Sequence, residues 1–162
     1  MQTEVRSVVD FVRQKFGNIR KMWIIDYHTG LGSWMQESLI LDEKTDQNTM
    51  FECLGRNVVV EKNSEYYYKI NGSISEAFRN AFPDKKINYV VAEYGTRHAL
   101  KVISKLALET VEFHKKPGVI NPKIHRDVLD CFFPDSEAWQ KTVPEYGFQV
   151  FLKVLNYSNQ FF

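Results

Sequence analysis

The chain has only two cysteines, Cys53 and Cys131, in 162 residues, and neither stands in a CxxC pair. A disulfide scaffold is excluded, and both thiols read as small, buried apolar side chains of a reducing compartment. Charge of one sign is lacking too: 21 Lys and Arg face 20 Asp and Glu, a net charge of +1. That balance builds no basic field for nucleic acid or an anionic membrane surface. No apolar run approaches the roughly 18 residues of a membrane span. The opening stretch MQTEVRSVVDFVRQKF alternates charged and apolar residues and has no continuous apolar segment of the secretory type. Repeats and low-complexity tracts are missing as well. The sequence therefore reads as a soluble cytoplasmic protein with no nucleic-acid or membrane partner.

What is present suits a globular domain. Apolar residues make up 44% and charged residues 25%, both ordinary fractions. A chain of this length fits a single domain, 1–162, able to bury roughly 68–70% of its unfolded surface. Val5, Val8, Val9, Val12 and Phe16 recur at helical spacing, and Gly17-Asn18 stops that pattern. Met22-Trp23-Ile24-Ile25 is a continuous apolar run, the pattern of a strand covered on both faces. Ser38 to Leu41 and Val58 to Val60 are shorter strand candidates. Ser73 and Glu76 form a capping-box pair ahead of Ile74, Ala77, Phe78 and Ala81. Ile87 to Tyr94 reads as a second buried strand, and Ala99 to Phe113 as a long helix. A last helical region runs from about Asp135 to Tyr157 with a bend expected at Pro144. Strands alternating with helices predict an α/β layered fold. Two firm strands leave sheet edges uncovered, so the sheet reads as incomplete.

In open α/β sheets, ligands bind beyond the carboxyl ends of strands. Two such ends carry polar residues here. Asp26-Tyr27-His28-Thr29-Gly30 follows the first run, and alternation lets Asp26 and His28 share a side. Glu93 is embedded in Val90-Val91-Ala92-Glu93-Tyr94, where a carboxylate requires a compensating metal, His or Arg. Two bland readings stand beside these. His28 and Asp26 would pair with each other or with turn amides, and Glu93 would cap a helix or meet Arg97. The glycines of HTGLG suit a simple turn and are not the GxGxxG pattern of dinucleotide sites.

The segment Ile25-Asp26-Tyr27-His28-Thr29-Gly30-Leu31-Gly32 resembles the DxHTGLG motif of an uncharacterised branch of the zinc carboxypeptidase superfamily, relatives of the succinylglutamate desuccinylases and aspartoacylases. Glu93-Tyr94-Gly95-Thr96 is similar to the E-[FY]-G-T motif of that branch. Val128 to Asp135, with Trp139 behind it, resembles its FxPxxxxW-type tail. The resemblance runs from about Met22 to Leu155. It implies that His28 is a zinc ligand and Glu93 the catalytic glutamate. Asp26 would orient an imidazole, and Thr29, the Gly30–Gly32 turn and Thr96 would shape the site wall. Substrate would be a small peptide or an acylated amino acid.

The chain departs from the superfamily in its other zinc ligands, an HxxE motif that precedes the His28 strand. None is present: His98, His114 and His125 are followed at the third place by Lys101, Pro117 and Val128. The arginines that hold substrate carboxylate and oxyanion are missing as well. The resemblance thus implies the C-terminal half of a carboxypeptidase-like mixed sheet with flanking helices, its N-terminal strands missing. Three expectations follow. The chain alone has little or no hydrolase activity; or a complementary chain supplies HxxE and covers the sheet edge; or the chain is a non-catalytic remnant or interaction module. Self-association fits any of these. His98 and His114, sixteen positions apart on one helix, read as surface or partly buried structural residues, and His125, at the start of another, as solvated. One tyrosine of Tyr66-Tyr67-Tyr68 would overhang the site or else pack on a strand edge. Arg97 or Arg126 would bind a carboxylate or simply lie at the surface.

Overall fold

A computed structural model describes residues 2–55, 58–60 and 72–160. The Tyr66-Tyr67-Tyr68 expectation falls outside these residues. Four strands, β1 (Lys21–Leu31), β2 (Glu37–Leu41), β3 (Val59–Val60) and β4 (Lys86–Arg97), form one mixed sheet in the order β1-β4-β2-β3. The helices among the described residues are α1 (Thr3–Phe16), α2 (Gln47–Leu54), α3 (Ile74–Ala81), α4 (Ala99–Lys115), α5 (Pro122–Phe132) and α6 (Glu137–Asn159). The α/β class is as expected, and both short strand candidates are strands. β2 and β3 pair in parallel, with Ile40 opposite Val59.

The strand after the first apolar run differs from expectation. It does not end at His28 but continues to Leu31, so the polar segment lies within β1. The cause is side-chain anchoring: Tyr27 and Thr29 each donate a hydrogen bond to a backbone carbonyl of a helix, which keeps the segment extended. His98 is likewise not inside α4 but caps it, its Nδ1 accepting the Leu100 N–H at 3.3 Å. α2 has no counterpart among the expected elements.

The chain divides into two compact units: Met1–Asp26 with Ile40–Val90, and Tyr27–Leu39 with Val91–Phe162. In the first, α1 lays Val5, Val9 and Val12 against Met22, Phe78, Phe82 and Ile87, the α1 stripe meeting α3 and two strands. Burying such a side chain stabilises by about 1.5–3 kcal/mol each. Ser73 caps α3 by accepting the Glu76 N–H, and Glu76 accepts the Gly72 N–H in return, at 3.2 and 2.8 Å. The Arg79 guanidinium on α3 ties the strand side together. It donates to Thr45 Oγ1 and to the Ile87 carbonyl, both at 3.1 Å, and lies 3.4 Å from Asp42. The Ser75 hydroxyl donates to the same Asp42 at 2.5 Å.

In the second unit α4 and α5 pack side by side, with Lys105 on Asp127 at 2.7 Å. α5 starts with Pro122 in its first turn, and the Asn121 side chain caps it. α6 is one helix that contains Pro144 and buries Trp139, Val143, Gly147, Val150 and Val154, a stripe at three- and four-residue spacing. Gly147 meets the ring of Tyr27: a Cβ there would stand 3.2 Å from a ring carbon.

Candidate functional site

β1 and β4 are neighbours in the sheet. Lys86 N–H donates to Arg20 O at the start of the pair, and the Thr96 hydroxyl reaches Gly30 O near its end, both across 66 residues. The two strands therefore run in the same direction. His28 and Glu93 therefore lie on adjacent strands of one direction.

Side-chain directions within the second unit agree. Tyr27 donates to Gly147 O of α6 at 2.9 Å, and Thr29 to Phe132 O of α5 at 2.7 Å. Both side chains point toward those helices, so His28 between them points to the opposite face. On β4, a Cβ at Gly147 would lie 3.6 Å from the Tyr94 hydroxyl, and Thr96 meets the Cys131 carbonyl of α5. Tyr94 and Thr96 thus take the helix side, and Glu93 shares the opposite face with His28. The Leu31 N–H donates to Glu93 Oε1 at 3.0 Å.

The glycines explain how the turn reaches Glu93. Gly30 and Gly32 have φ of +144° and +119°, conformations that side chains resist, and the Phe132 ring stands 3.0 Å from where a Gly30 Cβ would be. Gly95 lets the turn come close, since a Cβ there would overlap the Ser33 carbonyl oxygen and stand 2.7 Å from the Gly32 carbonyl carbon. Met35 and Gln36 both bond to Gly95, two residues against one as in a bulge. The Trp139 indole N–H also donates to Gly95 O, at 3.2 Å.

The remaining expected residues separate into different roles. Asp26, in the first unit, accepts the hydroxyl of Tyr89 at 2.5 Å. Tyr89 went unanticipated, although alternation along β4 places it four residues before Glu93 on the same side. Thr29 and Thr96 are anchors on the helix side rather than on the His28 face. Arg97 is engaged by Asp130 at 2.8 Å and stacks over Trp34 at 4.8 Å. Arg126 is exposed on α5. His125 stands 3.7 Å from Glu109, and His114 meets the Phe113 ring edge-on. Behind the face, Tyr94 donates to Glu37 at 3.1 Å; burial, and then the Glu37 charge, push the Tyr94 and Tyr27 hydroxyls above their ordinary pKa. Burial also raises the Cys131 thiol, which leaves it a poor nucleophile.

Among the described residues no three His, Cys, Asp or Glu side chains converge to hold a metal ion. Catalytic zinc takes three protein ligands as a rule. One imidazole beside one carboxylate does not complete that set. No helix among the described residues is long and apolar enough to cross a membrane.

Comparison with curated proteins and with solved structures gives no match in either. A family profile, by contrast, matches residues 3–145, which takes in both strand-end motifs, the long helix and the start of α6. The chain belongs to DUF2817, a family of proteins of unknown function.

Proposed function

We propose that the chain carries the His28 and Glu93 part of a zinc-carboxypeptidase-like amide hydrolase site. The observation that supports this is the common face: an imidazole and a carboxylate on neighbouring strands, both directed away from α5 and α6. In this reading Glu93, placed by the Leu31 N–H, takes a proton from the attacking water and returns it to the leaving nitrogen. Such acid–base help is worth about 10²–10⁴-fold in rate. His28 supplies one donor to a metal. The described residues fall short of a full ligand set. The further donors would come from a complementary chain carrying HxxE, and the substrate would be a small peptide or an acylated amino acid. Cys53 and Cys131, which form no disulfide, suit a cytoplasmic setting.

The same shortfall of donors favours a second reading, a non-catalytic remnant that keeps the fold and lends it to interaction. Zinc titration followed by elemental analysis separates the two. Under the hydrolase reading, wild type binds titrated zinc, weakly without the complementary chain, His28→Ala binds none, and Glu93→Gln still binds it. Equal and negligible zinc in wild type and His28→Ala would leave only the remnant.

A further inference from the structure

We infer that Gly95 and Thr96 are positioning residues: they seat the Gly30–Gly32 turn so that the Leu31 N–H holds the Glu93 carboxylate in place. The inference deepens the reading of Glu93 as the reacting carboxylate, and rests on that reading for its functional meaning. Its geometry stands alone. The Thr96 hydroxyl lies against two carbonyl oxygens, of Gly30 at 2.7 Å and of Cys131, and shares its one proton between them. This fixes the residue that precedes Leu31 to β4 on one side and to α5 on the other. Thr96 is 1% exposed, so water does not replace the bond. Gly95 provides the clearance, because any side chain there would meet the backbone of Gly32 and Ser33. The positive φ of Gly30 and Gly32 then brackets a single donor, Leu31, at 3.0 Å from Glu93 Oε1. Glu93 has three side-chain torsions, and this bond restrains the last of them.

The two sequence motifs are therefore two halves of one fitting. The glutamate of EYGT receives the donor of HTGLG; the glycine leaves room for the turn, and the threonine fastens it. A group that must meet a substrate within a few tenths of an ångström requires support of this kind.

Amide hydrogen exchange by NMR tests the inference without zinc or hydrolysis, so its failure is separable from failure of the hydrolase reading. Thr96→Val is expected to speed exchange of the Leu31 amide by about tenfold or more, with Val150 in α6 still protected, and Thr96→Ser to restore the slow rate. Glu93→Ala is expected to release the same amide and Glu93→Gln, which keeps an acceptor oxygen, to hold it. Wild-type exchange of Leu31 in Thr96→Val would overturn the inference. If Thr96→Val unfolds the unit, seen as loss of Val150 protection, the Glu93 pair decides: equal Leu31 rates in Glu93→Ala and Glu93→Gln would overturn it.

Discussion

The two units of this chain fasten their polar parts in different ways. The first relies on charged side chains that meet one another: Arg79 with Asp42, Lys86 with Asp46, and Ser75 on the same Asp42. The second relies chiefly on hydroxyls and an indole that reach backbone carbonyls: Tyr27 to Gly147, Thr29 to Phe132, Thr96 to Gly30 and Cys131, Trp139 to Gly95. A side chain bonded to another side chain depends on both identities. A side chain bonded to a carbonyl depends on its own identity and on the path of the backbone, and that path is why glycines accompany the anchors in the second unit. The first design responds to salt and acid, the second to changes of shape.

The largest expected departure from this contrast is at Arg79. Arg79→Met removes the bonds to Thr45 and Ile87 and leaves Asp42, whose side chain is 13% exposed, without its cation. A loss of about 2–3 kcal/mol in urea unfolding is expected, hydrogen bonds to charged groups being worth about 1.5–3 kcal/mol. A loss below about 0.5 kcal/mol would deny the charged network its role. Thr29→Val keeps the shape and removes the donor to Phe132 O. It should cost about 1 kcal/mol, with no change when 0.5 M salt is added, whereas the Arg79 effect should shrink.

The smallest effect concerns acid. Asp46 is held at about 2, below its ordinary 3.8, chiefly by the Lys86 ammonium and then by the Thr49 N–H and hydroxyl. A carboxyl lowered in the folded state contributes stability above its unfolded value and loses it as pH falls from about 4 toward 2. The pair is largely solvated, so Lys86→Met should remove no more than about 1 kcal/mol at pH 7. It should also flatten the loss between pH 4 and pH 2, read from urea midpoints at each pH. An unchanged acid limb would mean that the ammonium does not hold the carboxyl down.

Elements with a local cause could be read in the sequence. β1 announced itself as an unbroken apolar run, β4 as a second, mainly apolar strand, and α3 through the Ser73–Glu76 box, which the structure closes at both ends. α2 carried a signal that went unused: Asp46 caps it by accepting the Thr49 N–H, and Gly55 ends it at φ +99°. Helical spacing there is carried by Met50 and Leu54 alone, too little to stand out in eight residues. At the site, HTGLG and EYGT drew notice to His28, Glu93, Gly30, Gly32 and Thr96. Sequence did not tell which of these lie on the helix side and which on the opposite face, because that depends on bonds reaching across 35 to 103 residues. Arg97 is the plainest case: its spacing from Glu93 suggested a partner, and its guanidinium is taken by Asp130 and Trp34.

Tyr27 resting on Gly147 carries one more consequence. Tyr146 and Phe148 flank that glycine, so a one-residue shift of α6 along its own screw, about 1.5 Å with a 100° turn, would drive a bulky ring onto the tyrosine. The long helix therefore has a single seat along its axis, keyed by the one residue in it that has no side chain. A misplaced docking is rejected by collision before any favourable contact could reward it.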